Sequence, residues 1–138
     1  MPSVFIDTNV PMYAGGAAHP LREPAQQVIR AIVAGELDAV TDTEVFQEIL
    51  YRYFAIGERR KGLLIFDTFH SVMDGRVLPV TDVETRRARD LAERYPRLSP
   101  RDLIHLGVML VAPIAEVVSA DAGFDEVAEV SRIRLESF

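Results

Sequence analysis

Short apolar runs alternate along this chain with longer segments of helical periodicity. Five runs have the length and composition of buried strands, at residues 4–6, 37–40, 77–80, 117–119 and 133–135. Between them, apolar positions recur at helical spacing over residues 24–34, 45–54, 58–74, 82–95 and from residue 100 onward. Pro79 indicates that the third run is an edge strand or a strand end. The alternation predicts an α/β fold, with a mainly parallel central sheet covered by helices on both faces.

Local signals mark where several helices begin. Thr41 with Glu44 and Thr81 with Glu84 match the capping-box pattern, in which a hydroxyl and a carboxylate three residues later bond to the first backbone N–H groups. Ser99, followed directly by a proline, fits an N-cap and a first helical position. These signals predict helices that begin near residues 42, 82 and 100.

The composition narrows the size and class of the protein. With 138 residues, the chain is long enough for one domain spanning residues 1–138 and too short for two ordinary ones. Hydrophobic residues make up 49% and charged residues 26%, a balance typical of globular proteins. The start of the chain lacks the features of a signal peptide, and no apolar run is long enough to span a bilayer. We therefore expect a cytoplasmic protein with no membrane partner.

Charge and cysteine content restrict the chemistry. The chain has no cysteine, so any metal must be bound through oxygen or histidine, which favours a hard divalent ion. The net charge of -6 argues against a protein that coats nucleic acid by broad phosphate neutralisation. It does not exclude a nuclease, because a metal bound at an acidic site attracts phosphate.

Four carboxylates stand at the joints of the predicted fold. Asp7 in VFIDTN and Asp121 in VSADAGFD follow strand-like runs, Asp102 in SPRDLIHLG opens a helix, and Glu48 in EVFQEIL lies inside one. Parallel sheets place ligand sites beyond the carboxyl ends of their strands, so we expect Asp7 and Asp121 to share a crevice. A few carboxylates, with waters and substrate phosphates, are the usual ligands of Mg²⁺. The four acids therefore predict one metal site.

Each acid also has a local structural explanation. Asp7 can cap the helical turn after its strand, and Glu48 can pair with Arg52 one turn along its helix. Asp102 and Asp121 can likewise cap the segments that follow them. Four acids spread over two strand ends, a helix start and a helix interior are better explained together, by a shared site.

Further polar residues leave alternatives open. Glu44 is a competing ligand on the helix that carries Glu48, and Asp125 is a possible fifth acid. His105 shares a helix face with Asp102, and it is either a partner of the acids or a packed or surface histidine.

The sequence resembles the PIN-domain family, and specifically the VapC-type ribonuclease toxins of toxin–antitoxin pairs. The resemblance covers nearly the whole chain, through the opening VFIDTNVPMYA, the helical segments TEVFQEILYRY and SPRDLIHLGVML, and the closing VVSADAGFDEV. It implies a compact three-layer α/β/α sandwich and metal-dependent endonucleolytic cleavage of RNA. It also implies Mg²⁺ or Mn²⁺ as the cofactor, held by Asp7, Glu48, Asp102 and Asp121.

The resemblance extends to supporting residues and partners. Ser119 stands where threonine is commoner in the family. Four residues are expected to support the site: Thr8, Asn9, Ser119 and Asp125. The implied partners are an RNA substrate, a small antitoxin that covers the acidic cleft, and a second copy of the chain. Exposed apolar residues on the helices that contain Phe54 and Phe66 could supply the homodimer interface.

Three other classes compete with a nuclease. A non-catalytic PIN-like module that binds protein or RNA is the main alternative, and the complete set of four acids argues against it. A phosphotransferase of the haloacid dehalogenase type needs an aspartate two residues after the first, where this chain has Asn9. A response-regulator receiver needs a lysine late in the chain, whereas the only lysine is Lys61.

Overall fold

A computed structural model describes residues 3–138, in which five short strands alternate with six helices. The strands are β1 (Val4–Ile6), β2 (Ala39–Asp42), β3 (Val77–Leu78), β4 (Glu116–Ser119) and β5 (Ser131–Arg134). The helices are α1 (Asn9–Gly15), α2 (Arg22–Val33), α3 (Thr43–Ala55), α4 (Arg59–Val72), α5 (Asp82–Arg94) and α6 (Pro100–Val111). A 3-10 helix (Ala122–Glu126) lies between β4 and β5.

The strands form one parallel sheet in the order β3-β2-β1-β4-β5. Strand β1 is central, and its Phe5 is in register with Val40 of β2 on one side and Val117 of β4 on the other. All three residues of β1 are buried, because helices cover both faces of the sheet. The predicted parallel sheet is confirmed. Strand β3 ends just before Pro79 and is at the sheet edge, as this proline indicates.

The strand order decides which helices share a face. The chain moves towards one edge from β1 to β2 to β3, and then crosses back past β1 to β4. Right-handed crossovers place helices on opposite faces when the chain moves in opposite directions. Helices α1 to α4 therefore cover one face and α5 and α6 cover the other, which gives the predicted α/β/α sandwich.

The helix starts agree with the sequence at two of three capping signals. Thr81 and Glu84 form the predicted capping box of α5, and the Ser99 hydroxyl accepts a hydrogen bond from the first turn of α6. The predicted box at Thr41 is wrong: Asp42 is the N-cap of α3, and its Oδ1 accepts from the Val45 N–H at 3.0 Å. Thr41 instead lies in β2, which ends two residues later than predicted, and its hydroxyl donates to the Ile6 carbonyl.

Helix α6 packs closely against α5. A Cβ at Gly107 would lie 2.5 Å from the Glu84 carbonyl oxygen, so only glycine permits this approach of the two backbones. The contact fixes the position of α6, which carries Asp102 in its first turn and His105 one turn later. Within residues 3–138, no helix has the length and apolarity needed to cross a membrane.

Candidate metal centre

A cavity of about 500 Å³ opens at the carboxyl ends of β1 and β4. It brings together all four acids that the sequence singled out, with the two polar residues that follow Asp7. These lining residues are Asp7, Thr8, Asn9, Glu48, Asp102 and Asp121. Two strand ends, the interior of α3 and the first turn of α6 thus converge on one space, as expected for a parallel sheet.

Asp7 lies at the floor of this cavity and is only 4% exposed. Its Oδ1 accepts a hydrogen bond from the Thr8 N–H at 2.8 Å. Its Oδ2 accepts from the Ser119 hydroxyl at 2.6 Å and from the Asn9 amide at 3.1 Å. The carboxylate is therefore held in one orientation by two residues at the start of α1 and by the last residue of β4.

The end of β4 is tied to the same network. The Ser119 hydroxyl accepts a hydrogen bond from the Asp121 N–H at 2.9 Å, so serine makes the contacts that this position needs. The Asp121 carboxylate caps the 3-10 helix by accepting from the Gly123 N–H at 2.8 Å, as its local sequence predicts. Because Asp121 also lines the cavity, capping and a role at the site are compatible.

Glu48 faces the cavity instead of pairing along its helix. Its Oε1 accepts a hydrogen bond from the Thr8 hydroxyl at 2.9 Å. Within the described residues, it forms no salt bridge with Arg52, the pairing that its helical spacing allowed. Burial raises the pKa of Glu48, but the His105 imidazole and the Thr8 hydroxyl outweigh this effect and lower it. Glu48 is therefore ionised at neutral pH.

In contrast to Glu48, Asp102 and Asp7 have raised pKa values. Burial, together with repulsion from Asp7 and Asp121, raises the pKa of Asp102 to about 7. Burial also raises the pKa of Asp7, although His105 and Ser119 oppose this. Carboxylates this close titrate as a coupled set, and a cation among them favours their ionised forms.

Two further acids considered from the sequence lie outside the cavity formed by residues 3–138. Both carboxylate oxygens of Asp125 accept hydrogen bonds from Arg132 at 2.9 Å, which commits this residue to a salt bridge. Glu44 lies 3.9 Å from the Arg101 guanidinium. The expected supporting role of Asp125 and the competing role of Glu44 thus find no geometric support.

Sequence reasoning missed Asp42 and gave His105 little weight. Both residues are fully buried, and the His105 Nδ1 lies 2.7 Å from the Asp42 Oδ2. The His105 Nε2 is 3.8 Å from Asp7 Oδ1 and 3.8 Å from Glu48 Oε1. The spacing of three residues from Asp102 was a usable signal for His105. No sequence pattern pointed to Asp42, because the capping-box pattern of Thr41 and Glu44 predicts Thr41 as the N-cap.

The side chains fit a hard divalent cation. Asp7, Asp102 and His105 each offer a ligand atom, and these atoms lie within 4.8 Å of one another. The Nε2 of His105 is buried and has no hydrogen-bond partner among the described residues. Because such a group costs about 1–3 kcal/mol, its position beside the acids indicates a specific role. The mainly carboxylate donor set suits Mg²⁺ or Mn²⁺ better than a soft metal.

The other residues that line the cavity have different chemistry. They include Arg52 and Lys61, neither of which forms a salt bridge within residues 3–138. They also include Tyr13 and His19, whose rings pack against each other with centroids 4.6 Å apart. One cavity thus joins a carboxylate cluster to two cations and an aromatic pair.

Comparisons with known proteins agree with this arrangement. The PIN domain profile matches residues 4–130. The chain is 39% identical over 130 residues to the VapC ribonuclease Mb1869c of Mycobacterium bovis, covering 94% of this chain and 98% of the relative. It is 35% identical over 103 residues to the ribonuclease VapC23 of Mycobacterium tuberculosis, covering 75% and 80% of the two chains.

Solved structures share the fold at lower identity. The sarcin-ricin loop cleaving toxin VapC20 of Mycobacterium tuberculosis superposes with a TM-score of 0.74 at 18% identity, over 92% of this chain and 96% of that one. The DNA-bound VapBC complex of Salmonella typhimurium gives a TM-score of 0.74 at 15% identity, over 98% and 99%. Since the profile spans most of the sequence and the mycobacterial ribonucleases align along it, the chain belongs to the PIN-domain family, among its VapC-type members.

Proposed function

We propose that this protein is a metal-dependent endoribonuclease and the toxin of a toxin–antitoxin pair. The observation that carries the proposal is the convergence of Asp7, Glu48, Asp102 and Asp121 on one cavity. The ribonuclease names of the relatives support the same activity. A non-catalytic binding module would have no use for these acids, since burial, together with repulsion from Asp7 and Asp121, raises the pKa of Asp102 to about 7.

The acids divide into two roles. Asp7, Asp102 and Asp121 would hold Mg²⁺ or Mn²⁺ in the cavity. When bound, such an ion lowers the pKa of water and stabilises the negative charge that develops on a phosphate under attack. Glu48 is ionised and is oriented by the Thr8 hydroxyl, so it can accept a proton from the attacking water.

The basic and aromatic residues of the cavity lining support RNA as the substrate. Arg52 and Lys61 offer positive charge to the phosphates that flank the scissile one, and the Tyr13–His19 pair offers an aromatic face for an unpaired base. This arrangement is compatible with a polyanionic substrate despite the net charge of -6, because two cations line the cavity that the backbone of the RNA would enter.

Changing Arg52 to Gln is expected to raise KM for RNA about 3- to 10-fold and to leave kcat within about twofold, because a phosphate contact binds substrate and transition state alike. Steady-state cleavage of a fluorescent RNA measures both constants. Arg87→Gln is the matched control, since Arg87 is also an exposed helical arginine but lies on α5, away from the cavity. Equal effects of the two changes would contradict a substrate contact by Arg52.

Two protein partners are proposed, an antitoxin and a second copy of the chain. A small antitoxin would cover the acidic cavity, and an arginine is the side chain best suited to pair with its carboxylates. A second copy of the chain would cover apolar side chains near the ends of α3 and α4. Tyr51, Ile56 and Leu64 are the most exposed of these, at 57%, 57% and 67%.

The direct test is cleavage of a mixed pool of structured RNAs by purified protein in Mg²⁺, in Mn²⁺ and in EDTA. We expect cutting with either metal and none in EDTA, with internal rather than terminal products on sequencing. RNA that is bound in the presence of metal but never cut would overturn the proposal in favour of the binding module.

A further inference from the structure

A buried Asp–His pair lies directly behind the acidic cavity. Asp42 ends β2, and its two carboxylate oxygens have separate partners. Its Oδ1 accepts from the Val45 N–H and caps α3, whereas its Oδ2 accepts from the His105 Nδ1 at 2.7 Å. The pair joins α3 to α6, and these two helices carry Glu48 and Asp102.

The free edge of the imidazole points at the acids. The His105 Nε2 lies 3.8 Å from both Asp7 Oδ1 and Glu48 Oε1, which is longer than a hydrogen bond, so it is centred between the residue that follows β1 and an α3 residue. Both neighbours are acceptors, which is the environment of an N–H donor.

His105 lies behind the acids and not among them. It is 0% exposed and does not contribute to the cavity wall formed by the described residues, whereas Asp7 and Glu48 do. The Phe5 ring packs against the imidazole with centroids 5.2 Å apart, which restricts its rotation. This geometry suits a donor that orients the carboxylates from the rear better than a direct ligand in the cavity.

We propose that the Asp42–His105 pair is a positioning device, in which Asp42 orients the imidazole and Nε2–H fixes Asp7 and Glu48 relative to each other. The inference rests on the proposed metal-dependent function and names two residues beyond its four acids. Groups that hold the ligands of a metal typically change its affinity or the activity 10- to 100-fold when they are removed.

The test compares one change at Asp42 with two at His105. Asp42→Asn keeps a good N-cap and nearly the same volume but places an amide donor or a weaker acceptor against Nδ1. His105→Gln can still place an N–H near the Nε2 position, whereas His105→Asn reaches only the Nδ1 side. Mn²⁺ affinity, measured by electron paramagnetic resonance without RNA, and kcat and KM for RNA cleavage are the readouts. Circular dichroism identifies the variants that fold.

We expect Asp42→Asn and His105→Asn to weaken Mn²⁺ binding or to lower kcat by about 10- to 100-fold, with KM for RNA unchanged. We expect His105→Gln to lose less than His105→Asn. Folded variants with parental Mn²⁺ affinity and parental kcat would overturn the proposal. A directly bonded nitrogen in the hyperfine spectrum of Mn²⁺ on the parent protein would also overturn it, by making His105 a ligand. Because Mn²⁺ binding needs no RNA, this test gives a result even if the parent cuts no RNA.

Discussion

Asp102→Asn is expected to reduce RNA cleavage more than about 100-fold while the protein stays folded. The change removes one of the carboxylates that converge on the cavity, so the loss should exceed the 10- to 100-fold typical of a group that only supports a ligand. The fold should survive, because the Asp102 N–H that binds the Ser99 hydroxyl is kept and asparagine has nearly the same volume. Activity is measured as cleavage of an RNA that the parent protein cuts, and circular dichroism of both proteins shows whether the variant is folded.

Asp67→Asn is the control for this change. Asp67 is an exposed aspartate within a helix, on α4, and lies outside the cavity lining. We expect this variant to cleave at the parental rate. An Asp102→Asn protein that cut RNA as fast as Asp67→Asn would remove Asp102 from the site.

The metal-free protein is expected to become less stable as the pH rises from about 6 to about 8. The pKa of Asp102 is raised to about 7 from an ordinary value of 3.8, so the folded state holds a proton that the unfolded chain has lost. Its contribution to stability is fully present below the unfolded value and is lost as pH rises through about 7. His105 acts in the same direction, because its raised pKa keeps its proton in the folded state above the value at which the unfolded chain releases it.

Mn²⁺ should reverse this loss, and more strongly at the higher pH, because protons no longer compete for the carboxylates. An ion present at 100 times its dissociation constant stabilises the folded state by about 2.7 kcal/mol. Thermal melts at both pH values, with and without Mn²⁺, measure the effect. In Asp102→Asn the metal-free pH dependence should be shallower but not absent, since Asp7 and His105 remain. A metal-free parent whose melting temperature rose with pH would contradict the raised pKa values.

The sequence was most informative where structure is local. Helical spacing over three to four residues located α2 to α6, and capping chemistry within three residues placed the starts of α5 and α6. It failed at Thr41 because the next residue, Asp42, is an equally good N-cap. Pairing with β1 and β3 draws Thr41 into the sheet, and only then does Asp42 become the first residue outside it.

In the candidate site, too, the sequence predicted what is local and missed what depends on tertiary contacts. The four acids could be predicted because each follows a recognisable strand end or lies in a recognisable helix, and together they match a family pattern. The Asp42–His105 contact joins residues 63 positions apart, and no local pattern in the sequence predicts that these two side chains meet. The salt bridge that removes Asp125 from the site depends on Arg132, which reaches it from β5.

By itself, the sequence determined the alternation of strands and helices, the class of the fold, and the placing of four acids at element ends, because these follow from short-range periodicity and capping. The tertiary structure decided the strand order, the salt bridge that keeps Asp125 outside the cavity, the cations in the cavity lining, and the buried pair behind the acids. These features depend on which distant segments the sheet brings together. Such contacts are fixed by the burial of the whole core and are not encoded in any one stretch of the chain.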